Sequence, residues 1–163
     1  MPGYIDILKA LNAHKIRYIV IGGLAVNLHG IPRMTYDIDL LIDFDISNIK
    51  KLEMLMNTLG FKPKAPVAIC DLADQNKRNG WIKQKNMKAF NLVNPSWAVS
   101  EIDILIDAPV TYNKAKNTAK KISIEGIAIP VISIQNLIKM KRSSARDQDI
   151  RDIKYLKKVS HEK

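Results

Sequence analysis

The sequence predicts an α+β fold: a mixed β-sheet flanked by helices, with further helices at the C-terminal end. Two observations carry this. Short β-branched runs alternate with stretches of helical apolar spacing, and some of the runs fall in hairpin-like pairs. The 163 residues, 47% hydrophobic and 26% charged, suit one domain with a core that needs no disulfide or structural metal. We therefore expect a single domain over 1–163, with a core of about 16–132 and C-terminal helices over about 133–160.

Each element has a local reason. Tyr4 to Ala13 sets Ile5, Leu8 and Leu11 at helical spacing, and Arg17 to Ile21 is a short apolar strand. Gly22-Gly23 ends that strand, and Leu24 to His29 forms a short helix stopped by Gly30 and Pro32. Tyr36 to Phe44 is a second strand. Asp45 or Ser47 caps a helix whose stripe runs Ile49, Leu52, Leu55, Met56 and Leu59, closed by Gly60. Residues 61–70, with Pro63 and Pro66, are extended or irregular, and Asp71 to Lys83 is a polar helix. Phe90–Val93 and Val99–Ile106 are strands, a short helix lies near 112–116, and Lys121–Ile124 and Ile127–Ile132 form a hairpin about Glu125-Gly126. Ser133 caps a helix, and from Asp147 a last helix carries Ile150, Ile153, Leu156 and Val159 as its stripe.

Composition narrows the classes of function. No apolar run reaches the roughly 18 residues of a membrane span, and the N-terminal stretch lacks the pattern of a signal peptide. The single Cys70 cannot make an internal disulfide, so a cytoplasmic protein with no membrane partner is expected. Lys and Arg outnumber Asp and Glu by 26 to 16, a net charge of +10 that favours anionic partners. Against that background, residues 34–49 hold four aspartates (37, 39, 43 and 45) and no Lys or Arg. The histidines 14, 29 and 161 show no zinc spacing, and Trp81 and Trp97 fit packing better than base stacking.

Strand alternation puts Asp37 and Asp39 on one face, and in EIDILID it puts Glu101, Asp103 and Asp107 on one face. Alternation alone fits a sheet with one wet face equally well. Two facts favour chemistry: Asp is depleted from strands, and clustered carboxylates repel one another unless a cation neutralises them. Mg²⁺, with Mn²⁺ as the alternative, accepts such oxygen ligands together with substrate phosphates. Asp103 can also take the proton of an attacking hydroxyl. Gly22-Gly23, where strand meets helix, lets backbone approach anionic oxygen. The sequence has neither GxxxxGK[ST] nor GxGxxG.

An apolar strand, a Gly-Gly pair, residues 24–36 and then Asp37-Ile38-Asp39-Leu40, with Asp103 on a later strand, resemble the DNA polymerase beta-like nucleotidyltransferase superfamily. The run GGLAVNLHGIPRMTYDIDLLI is similar to a bacterial branch that includes toxins of abortive-infection toxin–antitoxin systems. So is the tail spacing of Lys141, Arg146, Asp149 and Asp152. The resemblance implies a metal-dependent transfer of a nucleoside monophosphate from an NTP to a hydroxyl. Asp37, Asp39 and Asp103 would hold metal, and Gly22 and Gly23 would contact the triphosphate. Arg33, Thr35, Lys141 and Arg146 would reach phosphate, with Asp149 orienting one of them or the base. The implied acceptors are an RNA or tRNA end or a protein side chain, with a cognate antitoxin or toxin as partner. The tail fits a helix–helix brace equally well. The alternative function is a non-catalytic module of this fold that binds nucleotide or a partner protein. A purely nucleic-acid-binding protein rests on charge alone.

Overall fold

The computed structural model describes residues 3–162; Met1, Pro2 and Lys163, which the expected 1–163 domain and the N-terminal reading include, lie outside the described residues. Helix α1 (Tyr4–Ala13) buries Ile7, Leu8 and Leu11 and leads to β1 (Tyr18–Ile21), buried at every position. Helix α2 (Gly22–Leu28) follows without a break, and β2 is Ile38–Ile42. Helix α3 (Ile46–Leu59) is capped by Asp45, whose side chain accepts from the Ser47 amide, and ends on Gly60 in the left-handed region. A two-residue strand β3 (Lys62–Pro63) and a 3-10 helix (Ile69–Ala73) precede α4 (Gln75–Lys85), β4 (Ala89–Val93) and β5 (Glu101–Leu105). The short α5 (Tyr112–Ala115) comes before the hairpin β6 (Lys120–Ile124) and β7 (Ile127–Val131). Helices α6 (Ile134–Ser144) and α7 (Asp147–Glu162) complete the chain.

The seven strands form one sheet in the order β3-β4-β5-β2-β1-β7-β6. The pairs β2/β5 and β1/β7 are parallel and the rest antiparallel, so the sheet is mixed, as expected. Ile38, Leu40, Ile102, Ile104, Phe90 and Leu92 are buried on one face, which leaves their strand neighbours Asp39, Asn91 and Asp103 on the other. No described helix is long and apolar enough to cross a membrane.

Several boundaries differ from expectation, each for a local reason. The helix after β1 starts at Gly22 itself rather than Leu24, and Asp37 precedes β2 rather than lying in it. The polar helix expected from residue 71 is split, because Asp74 accepts from the Asn76 and Lys77 amides and so caps a new helix. Lys62-Pro63 pairs with β4 at the sheet edge, where proline is tolerated. Ile150, placed in the apolar stripe of α7, is 58% exposed, because α7 turns Asp149, Asp152 and Leu156 inward. His29 is buried at the helix end with Nε2 2.7 Å from the Ile132 carbonyl oxygen. Trp81 packs on Phe90 and Trp97 on Phe61.

Candidate active site

The parallel pairing of β2 with β5 sets Asp39 opposite Asp103, and the antiparallel pairing of β4 with β5 sets Asn91 opposite Asp103 from the other side. Carboxylate oxygens of Asp37, Glu101 and Asp103 lie within 4.8 Å of one another. Asn91 Nδ2 donates to Asp103 Oδ1 (2.5 Å), and Lys64 Nζ stands 3.8 Å from Glu101. Asp39, opposite Asp103 and within reach of its charge, adjoins this set without belonging to it. The other two aspartates of the acidic run serve the fold: Asp43 pairs with Arg17 (2.7 Å) and Asp45 caps α3.

The electrostatics of the patch are uncompensated. Burial, and then the charges of Asp103 and Asp37, push Asp39 up to about 7, against the opposing pull of Lys141 and Arg146. Asp103 is also raised, by burial first and then by Asp37 and Glu101, while the Asn91 hydrogen bond works against the rise. Asp37 is raised by burial and Glu101 and pulled back by Lys64. Oxygen donors held this close, each with its ionisation made harder by burial and neighbouring charge, form a set that a hard divalent cation fits, because the cation supplies the missing charge.

Beside the acids, Gly22 has φ +66°, and a Cβ there would overlap the Asp39 carboxylate. At Gly23 a Cβ would stand 3.0 Å from Thr35 Oγ1 and 3.1 Å from Arg33 Cζ. Only glycine allows the turn to lie against both the acids and the Arg33–Thr35 stretch. A cavity of about 310 Å³ brings together every residue of the expected site except Asp149, with Met34 and Tyr36 also in its wall. A second cavity of about 290 Å³ adjoins it, sharing Gly22, Asp39, Lys141 and Arg146 and lined by the apolar Ile21, Leu105, Leu137 and Met140. Asp149 lies in that second wall.

The tail is built as a brace. Lys141 Nζ is buried between Asp149 (3.3 Å) and Asp152 (2.8 Å), and Arg33 Nη1 reaches Asp152 Oδ2 (2.5 Å). Asp149 Oδ2 accepts from Ser144 Oγ (2.9 Å) and from the backbone N–H and Nε of Arg146 (3.1 and 2.9 Å). Burial pushes Asp149 up, but the Arg146 and Ser144 hydrogen bonds and the Lys141 charge outweigh it and bring it down to about 2. The Arg146 side chain itself remains 78% exposed at the pocket. Glu101, Asn91 and Lys64 join the site beyond the residues expected there. Glu101 carried a signal in its alternation with Asp103; Asn91 and Lys64 carried none, since their place depends on the pairing of β3, β4 and β5.

Comparison with known proteins extends this reading. A comparison with curated proteins finds no significant match. The fold is similar to that of the lincomycin-bound lincosamide antibiotic adenylyltransferase LnuA, at 20% identity, over 96% of this chain and 95% of that one, with a TM-score of 0.64. It is also similar to ANT(2″)-Ia in complex with adenylyl-2″-tobramycin, at 15% identity, over 96% and 90% of the two chains, with a TM-score of 0.60. A putative nucleotidyltransferase from Thermotoga maritima is similar at 15% identity, over 98% and 94%, with a TM-score of 0.54. At these identities the likeness carries the fold. The family is carried by the sequence itself: the aminoglycoside-2″-adenylyltransferase model matches residues 4–156, and the chain belongs to that family of nucleotidyltransferases.

Proposed function

We propose that this enzyme uses a divalent cation, Mg²⁺ in the first instance, to move a nucleoside monophosphate from an NTP to a hydroxyl of a small-molecule acceptor, releasing pyrophosphate. The observation that carries this reading is the close carboxylate patch against the Gly22-Gly23 turn, with Asp39 pushed up to about 7. Residues 16–132 and the helices over 133–160 act here as one domain, since Lys141 and Arg146 of the tail adjoin the pocket. A reducing cytoplasm suits both the NTP supply and the lone Cys70.

Asp37, Asp39 and Asp103 would hold the cation, with Glu101 beside them. When bound, the cation neutralises phosphate and carboxylate charge and draws electron density from the α-phosphorus. Gly22 and Gly23 leave room for the triphosphate, and Arg33, Thr35 and Arg146 bind its oxygens. Lys141 acts from behind, as a buried charge that steadies Asp149. The apolar cavity of Leu137 and Met140 takes the nucleoside. The acceptor oxygen bonds to the α-phosphorus as the bond to the bridging oxygen breaks, and pyrophosphate leaves with that electron pair. Asp103 takes the proton, its other oxygen being engaged by Asn91.

The small-molecule class follows the lincosamide and aminoglycoside relatives. A second reading, in which an RNA end or a protein side chain accepts the nucleotide in a toxin–antitoxin setting, is favoured by the net charge of +10. One experiment separates them. The protein is incubated with Mg²⁺ and each NTP labelled at the α-phosphate, together with lincomycin, tobramycin, total RNA or cell protein, with Asp37→Ala in parallel. Label on a small molecule, lost in Asp37→Ala, supports the first reading; label on RNA or protein supports the second. Failure of every NTP to bind with Mg²⁺ overturns the site.

A further inference from the structure

A cavity of about 550 Å³ lies off the carboxyl ends of β2 and β5, and the transfer proposed above uses none of it. The two strands run parallel. Asp39 and Asp103 come earlier in them than Leu41, Ile42 and Leu105, the strand residues that reach this cavity. Its lining shares no residue with the acidic cavity, and Leu105 alone with the apolar one. A crevice off the carboxyl ends of parallel strands is a recurrent ligand site in α/β sheets.

Helix α4 supplies one wall. Gln75, Arg78, Asn79 and Ile82 fall at the spacing of a single helix face, and all four line the cavity. A face packed against its neighbours is ordinarily apolar at that spacing; here three of the four are polar. Arg78 is the cation of the lining. Its guanidinium stands 4.2 Å over the Phe44 ring, and Nη1 donates to the Leu72 carbonyl oxygen, so the group is held from two sides. Among the described residues the Nε–Nη2 edge makes no hydrogen bond and no carboxylate pairs with Arg78. Burial pulls its pKa down, with the Asp74 charge pulling the other way. The acids of the lining are already matched: Asp43 and Asp45 both pair with Arg17, at 2.7 and 3.4 Å.

We infer that this cavity is a second small-molecule site, which takes an oxyanion (carboxylate or phosphate) on Arg78 and the polar remainder of the molecule along Gln75, Asn79, Thr111 and Asn113. A guanidinium edge matches such an oxyanion with two parallel N–H bonds. Phe44 and the Leu72 carbonyl fix its plane before any ligand arrives, which lowers the ordering cost of binding. At about 30 Å³ per water-sized group the space holds on the order of eighteen, so it suits a metabolite-sized molecule better than a bare ion. The site stands apart from the transfer reaction, since it needs neither the cation nor the carboxylates that hold it.

The test titrates the full chain, carrying carbon-13 methyl labels, with phenyl phosphate and with benzoate at fixed ionic strength and without Mg²⁺ or NTP. Ile82 reports on this cavity and Met140 on the apolar one beside the acids. At least one probe is expected to shift Ile82 saturably, and the tighter of the two tells phosphate from carboxylate. Arg78→Gln should weaken that binding at least about tenfold, and Arg78→Lys, which keeps the charge without the fork, by less. Asn79→Trp fills the space and should abolish the Ile82 shift, with thermal melting checking the fold of each variant. Ile82 unmoved by both probes up to about 10 mM, or shifts confined to Met140, overturns the inference on the unsubstituted protein alone. Unchanged affinity at Ile82 in a folded Arg78→Gln overturns it as well.

Discussion

Two groups of aspartates adjoin the pocket, and their charges are handled in opposite ways. Asp37, Asp39 and Asp103, with Glu101, crowd one patch with no cation strong enough to balance them, and Asp39 is pushed up to about 7. Asp149 and Asp152 are buried more deeply, each 1% exposed, yet Lys141, Arg33 and Arg146 neutralise them and Asp149 falls to about 2. Burial by itself therefore does not mark the reactive acid; the missing partner does. The first group carries a repulsion that a bound cation would relieve, and the second is already neutralised by its own cations.

Lys141 is the charge that both buried carboxylates of the brace share. Lys141→Met leaves two buried carboxylates short of a partner and should cost about 3–5 kcal/mol in chemical denaturation; a loss below about 1 kcal/mol would show that the brace does not depend on its charge. On the other side, Asp37→Asn and Asp103→Asn should each lower kcat about a thousandfold, roughly 4 kcal/mol of barrier, with no fall in melting temperature. A matching loss of stability would place these acids with the brace.

Asp39 and Asp149 respond to pH with opposite signs. The Asp39 carboxyl is raised from 3.8 to about 7, so ionisation opposes folding, and the penalty grows from pH 4 to pH 7 and then stays level. Asp39→Asn should stabilise the metal-free protein by up to about 4 kcal/mol at pH 8 and by almost nothing at pH 4, with saturating Mg²⁺ narrowing the difference. Asp149 has the opposite sign. Its carboxyl is lowered from 3.8 to about 2, so its contribution of about 2 kcal/mol is present above pH 4 and lost as pH falls through 2. Urea midpoints of the protein and of Asp149→Asn should accordingly converge in that window. The smallest effect belongs to Arg146→Ala. Its side chain is exposed but donates to the buried Asp149, so its loss should cost about 1–2 kcal/mol of stability while raising NTP KM several-fold.

Much of this was legible in the chain because it is local. Asp45 and Gly60 mark the ends of α3, and Glu125-Gly126, both at positive φ, mark the β6–β7 turn. Asp37, Asp39 and Asp103 stood out because a carboxylate repeated at strand spacing is unusual. What escaped depends on which strands become neighbours. Glu101 joins the patch because β2 and β5 run parallel side by side, and Asn91 meets Asp103 through the register of β4. The tail motif read equally as site or brace, since only the docking of α7 decides how far Lys141 is buried. Periodicity misled at Ile150, because the inward face of α7 is occupied by charges.

Arg33 belongs to both regions. One nitrogen of its guanidinium holds Asp152 of α7, and the same group lies 3.1 Å from where a Cβ on Gly23 would stand. The last helix thus works as a tether on the acidic pocket, through Arg33 as well as Lys141 and Arg146. A stop codon placed ahead of Asp152 would spare every residue that walls this cavity and still loosen it, and the Kd for Mg²⁺ and NTP would report the change.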